Sequence, residues 1–100
     1  MTPPLSALPL VDLLEVLAEK GECRYDPELH TGPDAFESET LAERRARVAA
    51  AKEVCESCPV WEACLEYALR HAPSHGVWAG YTARELSDLR SYARTVGEVA

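Results

Sequence analysis

The sequence predicts an all-α fold, a small four-helix domain, from three observations. Apolar residues recur at helical spacing in separate stretches, two Thr-x-x-Glu pairs mark helix starts, and period-two alternation persists nowhere along the chain. The chain has 100 residues, which suits a single domain. We place that domain at 9–95, between flexible ends at 1–8 and 96–100.

In the first helix, Leu10, Leu13, Leu14 and Leu17 recur at i, i+3, i+4 and i+7, and Gly21 is a fitting stop. From Glu22 to Glu37 no period is sustained, and Pro27, Gly32 and Pro33 predict an ordered loop carrying Cys23. Unsupported loops of that length are uncommon in small domains, so a bond through Cys23 would account for it. Thr40 and Glu43 form a capping-box signature ahead of an Ala-rich second helix, Leu41 to Val54. Pro59 suits the first position of a third helix, whose stripe includes Val60, Trp61, Cys64, Leu65, Ala68 and Leu69. Gly76-Val77-Trp78-Ala79-Gly80 has the chemistry of a tight turn. Thr82 and Glu85 then cap a fourth helix with Leu86, Leu89 and Ala93 on one face.

The formal net charge is -7, which repels a phosphate backbone unless positive groups are segregated. The N-terminal stretch has no basic region, and Asp12 and Glu15 interrupt its apolar run. Neither a signal peptide nor a membrane span is expected, so a cytoplasmic location follows. There, cysteines serve more often as metal ligands or redox groups than as disulfides.

All four cysteines, Cys23, Cys55, Cys58 and Cys64, fall as C-x31-C-x2-C-x5-C. Four thiolates suit a tetrahedral zinc or a cubane iron-sulfur cluster. The C-x2-C turn can present two sulfurs to one centre, but a remote Cys23 and a Cys64 six positions after Cys58 make an asymmetric set. That unevenness favours a cluster over zinc ribbons and fingers. Full ligation leaves no open coordination position, which disfavours Lewis-acid catalysis. Other readings of the same residues are a zinc-stabilised adaptor, buried reduced thiols, and a thiol-disulfide enzyme cycling Cys55 and Cys58.

Cys23-x2-Asp26-Pro27, the run Cys55-Glu56-Ser57-Cys58-Pro59-Val60-Trp61-Glu62-Ala63-Cys64 and the turn Gly76-Val77-Trp78-Ala79-Gly80 together resemble the WhiB-like proteins of actinobacteria and their phages, over roughly residues 20–90. The resemblance implies one 4Fe-4S cluster held by Cys23, Cys55, Cys58 and Cys64. It further implies transcription regulation, redox or nitric oxide sensing, and binding of a monomer to region 4 of the principal sigma factor. Gly76, Val77, Trp78 and Gly80 are then the expected partner interface, with Trp78 able to shield the cluster with one face and meet the partner with its edge.

Two departures from that family pattern matter. The family turn usually carries Gly-Gly after the tryptophan, and Ala79 here costs about 1 kcal/mol if its φ is positive. Many members end in a basic tail or an arginine-glycine motif, whereas over 82–100 the formal side-chain charges cancel, Arg84, Arg90 and Arg94 against Glu85, Asp88 and Glu98. Promoter DNA is therefore expected to be reached mainly through the sigma factor. Arg44, Arg45 and Arg47, with Lys52, read as a solvated helix face with Glu43 and Arg47 as i, i+4 partners. His30, His71 and His75 are assigned surface or capping roles, and Trp61 a role in the core or over the cluster.

Overall fold

A computed structural model describes residues 4–33 and 38–99. Parts of the expected flexible ends and residues 34–37 of the Cys23 loop lie outside them. The fold is mainly helical, with α1 Leu10–Lys20, α2 Pro27–Thr31, α3 Leu41–Glu56, α4 Trp61–His71 and α5 Ala83–Val99. Five α-helices replace the four expected, because a one-turn helix forms inside the Cys23 loop. Pro27 starts it at the first helical position, where the missing N–H costs nothing. Cys23 itself sits just before, in the 3-10 turn Glu22–Tyr25.

Local signals place the helix ends. Gly21 closes α1, its N–H donating to the Leu17 carbonyl at 2.9 Å. Thr40 and Glu43 make both hydrogen bonds of a capping box at α3. The pair Thr82 and Glu85 repeats this at α5. Pro59 does not open α4. It lies in a turn, and α4 begins two residues later at Trp61 behind Val60.

The expected tight turn is a small antiparallel hairpin, β1 Val77–Trp78 and β2 Tyr81–Thr82, with Trp78 opposite Tyr81. Its two-residue connection, Ala79-Gly80, has φ of 52° and 82°. Two successive positive φ values match the twist of paired strands. Gly76, at φ 92°, also needs to be glycine, since a Cβ there would sit 3.0 Å from Trp78 Nε1 and 3.3 Å from the His30 carbonyl oxygen.

The core is thin. Among the described residues only Leu13 and Leu86 are large side chains buried completely, and the remaining buried apolar residues are Ala51, Ala63, Ala68, Val77 and Ala79. α1 packs on α4 and α2 on α3. The leucine stripe of α1 is not wholly internal: Leu13 is fully buried and Leu17 half-buried, whereas Leu14 remains 49% exposed. Arg70 binds the N-terminal segment to α4, donating to the carbonyls of Leu8 and Leu5 at 2.6 and 2.9 Å.

The basic residues of α3 do not form one solvated face. Arg47 pairs with Glu39 at 2.7 Å rather than with Glu43, and donates to the Leu29 carbonyl at 3.1 Å. Lys52 pairs with Glu85 at 2.8 Å. Arg44 and Arg45 stay exposed. Two of the four cations thus tie the surface of α3 to the loop before it and to α5.

Candidate metal centre

Four successive elements carry the four cysteines to one place. The 3-10 turn supplies Cys23, the last turn of α3 supplies Cys55, the turn after it Cys58, and the first turn of α4 Cys64. All four are free thiols, and all line one cavity of about 270 Å³. Leu14 and Leu17 of α1, His30 of α2, Trp61 of α4 and Gly76 to Ala79 of the hairpin are among the residues that share its wall, as is Arg24 beside Cys23. The lining is almost wholly apolar apart from the thiols, which is a suitable setting for thiolate ligands around a metal centre.

The thiols are close enough to feel one another. Burial raises the Cys23 thiol above its ordinary pKa, and the Cys58 charge adds to this. Burial also raises Cys55, with Cys58 and Cys23 adding to the rise and the backbone N–H groups of Gly80 and Ala79 opposing it. Cys64 is pushed up to about 12, again by burial first, against the N–H of Ala79. Without a metal these three thiols hold their protons at neutral pH. That disfavours Cys55 as the nucleophile of the thiol-disulfide alternative, because the nucleophile must be a thiolate.

Four thiols lining one cavity are a donor set that suits a tetrahedral zinc or an iron-sulfur cluster. A tetrahedral zinc with bonds of about 2.3 Å needs its sulfurs about 3.8 Å apart. A multi-iron centre carries its iron on separate corners and holds its thiolates more widely spaced. The turn amides facing Cys55 and Cys64 would then stabilise charge on the bound sulfurs.

The expected interface residues divide by position. Val77 is buried at 5% exposure and belongs to the core. Gly76 and Gly80 shape the hairpin. Trp78 is half-buried, lines the cavity, and donates from Nε1 to the His75 carbonyl at 2.9 Å. Its ring lies 5.8 Å from that of Tyr67, which itself stacks on His71 at 5.1 Å. Trp61 also lines the cavity yet is 42% exposed. Together with Leu14 it makes an apolar rim.

His30 is not a surface residue. It is 6% exposed, with Nε2 3.6 Å from Cys55 Sγ. A histidine in a polar, Pro- and Gly-punctuated loop carries no periodic signal, so only the one-turn helix reveals its inward placement. Leu14 was legible as apolar but not as a rim residue, since periodicity defines a face without naming what covers it.

Comparison with known proteins places the chain among transcription regulators. A family model described as transcription factor WhiB matches residues 18–89. The chain is 35% identical over 91 residues to the transcriptional regulator WhiB2 of Mycolicibacterium smegmatis, covering 88% of this chain and 66% of that protein. It is 45% identical over 58 residues to the transcriptional regulator WhiD of Streptomyces coelicolor, covering 58% of this chain and 52% of the relative. To the redox- and pH-responsive transcriptional regulator WhiB3 of Mycobacterium tuberculosis it is 37% identical over 67 residues, covering 66% of this chain and 63% of the other. The chain thus spans between half and two thirds of the length of these relatives.

Proposed function

Because the chain belongs to the WhiB family of transcription factors, we propose that it is a transcription regulator built on one 4Fe-4S cluster held by Cys23, Cys55, Cys58 and Cys64. It acts as a monomer that docks on region 4 of the principal sigma factor of RNA polymerase, and it reaches promoter DNA chiefly through that partner. One observation carries this reading: the four thiols and Trp78 line the same apolar cavity. Whatever the cysteines bind is therefore continuous with the hairpin and with the apolar rim of Leu14 and Trp61.

Docking follows from that continuity. The cluster bonds the Cys23 turn to the α3–α4 junction and thereby holds both walls of the cavity in place. The rim offers large apolar side chains that gain from being covered, and Trp78 is the rigid aromatic at its edge. Loss of the cluster to an oxidant or to nitric oxide would release the Cys23 segment and dismantle the surface. The name of WhiB3 as a redox-responsive regulator supports such a coupling. We read the protein as a regulator without enzymatic activity, in keeping with the names of its relatives.

Anaerobic purification tests the cofactor. The expected product is brown, with about four iron and four sulfide per chain; a colourless protein with one zinc overturns the cluster. Capture of sigma region 4 then tests the partner. The loaded protein is expected to bind, a Cys23→Ala chain to lose binding, and a loaded Trp78→Ala chain to bind at least tenfold more weakly. Wild-type binding by loaded Trp78→Ala would remove Trp78 from the interface.

A further inference from the structure

We propose, building on the cluster reading above, that His30 is a fifth member of the cysteine site: its Nε2–H donates a hydrogen bond to Cys55 Sγ and raises the reduction potential of the cluster. Three features of this chain carry the assignment.

Placement comes first. His30 is only 6% exposed, and it lines the cavity with Nε2 3.6 Å from the Cys55 sulfur. Burying an imidazole in an almost wholly apolar wall is costly unless its polar atoms are used. Nδ1 has no partner. The Nε2 contact to sulfur is the side-chain hydrogen bond of the ring.

Donor character comes second. The polar neighbours of the ring are the Asp26 and Ala51 carbonyls and the Cys55 sulfur. Carbonyls only accept, and a metal-bound thiolate has no proton to give. Because a metal-bound thiolate can only accept, the Nε2 contact to Cys55 is favourable when Nε2 carries the ring's single hydrogen, which is where the proposed bond places it. Hydrogen bonds to ligand sulfurs favour the more negatively charged, reduced state of an iron-sulfur centre and move its potential upward.

Position in the fold comes third. The carbonyl of His30 lies against Gly76, where a Cβ would approach it to 3.3 Å. The same residue therefore touches a cysteine ligand through its side chain and the hairpin through its backbone. α2, which the loop expectation did not foresee, is what aims it.

The test is a spectroelectrochemical titration of the loaded protein with viologen mediators, in which one electron enters the cluster and no ligand bond changes. His30→Phe keeps the ring and its burial but removes the donor, and His30→Gln keeps an N–H at similar reach. The expected result is a lower midpoint potential for His30→Phe, with His30→Gln restored to the wild-type value or most of the way to it. An unchanged potential in His30→Phe overturns the proposal, as does an equal shift in both variants, which would mark a packing role. Should His30→Phe take up no cluster, His30→Gln loading at the wild-type potential supports the donor and failure of both overturns it. A wild-type chain that binds no iron overturns the cluster reading and this proposal together. A loaded wild type whose potential ignores His30 overturns this proposal alone.

Discussion

Ala72 and Ala79 have the same backbone conformation in different surroundings. Their φ values are 54° and 52°, where an L side chain costs about 1 kcal/mol relative to glycine. Ala72 is exposed where α4 ends, its N–H donating to the Ala68 carbonyl at 2.9 Å, a position that glycine fills in many helices. Ala72→Gly is therefore expected to stabilise the protein by about 1 kcal/mol, seen as a higher thermal midpoint. Ala79 is 8% exposed beside the thiols, and deleting its methyl loses about 0.8 kcal/mol of burial. The two terms nearly cancel, so Ala79→Gly is expected to change stability by less than about 0.5 kcal/mol. A gain in Ala79→Gly equal to that of Ala72→Gly would mean that the methyl contributes nothing by packing. The strain at Ala79 was legible as a departure from the family's Gly-Gly, whereas that at Ala72 follows from a chain reversal after α4 that no local motif announces.

Helix α5 is held at its start by one carboxylate with two tasks. Glu85 Oε1 accepts from the Thr82 N–H at 2.9 Å and from Lys52 Nζ of α3 at 2.8 Å. The Lys52 hydrogen bond, aided by the Thr82 N–H, holds the Glu85 carboxyl below its ordinary pKa. A carboxylate depressed in the folded state contributes stability above its unfolded pKa and loses that contribution as pH falls through its folded pKa. Glu85→Ala is expected to cost about 1 kcal/mol at pH 7. Its deficit against wild type should shrink as the pH falls below about 4, and chemical unfolding at both pH values measures this. A deficit independent of pH would assign the effect to the cap's shape instead of its charge. Both capping boxes were readable because cap and partner stand three residues apart. The pairs Arg47–Glu39 and Lys52–Glu85 were not, being long-range products of packing. The hairpin strands of two residues are too short to show a period, and α2 is too short to overcome the Pro and Gly signals around it. For the site, the four cysteines that line the cavity were legible as one set by count and spacing. Other parts of the cavity wall, Leu14, Leu17 and His30 among them, depend on how the helices pack.

At the scale of the whole molecule, the cavity and the thin core are one fact. With Leu13 and Leu86 alone as large, fully buried side chains among the described residues, the core is small for a chain of 100 residues, and a bound group that fills the cavity adds what side chains do not. The bonds to Cys23, Cys55, Cys58 and Cys64 would join the 3-10 turn to the α3–α4 junction across 31 intervening residues, restricting the unfolded chain as a cross-link does. The loss on removing the group should nevertheless be uneven. α1 and α4 pack on each other around Leu13, Ala63 and Ala68 and are fastened to the N-terminal segment by Arg70. The Cys23 turn and α2 have their own ties through Arg47 to Leu29 and through His30 to Cys55, and the second of these faces the cavity. Stripping the loaded protein with an iron chelator is therefore expected to raise amide hydrogen exchange at least tenfold over 22–31 and 76–82, with α1 and α4 changing least. Equal loss of protection along the chain would show instead that the cluster holds the entire fold. Unchanged protection at 22–31 would show that α2 and its contacts stand without it, and the proposed link from cluster loss to loss of the docking surface would then fail at its structural step.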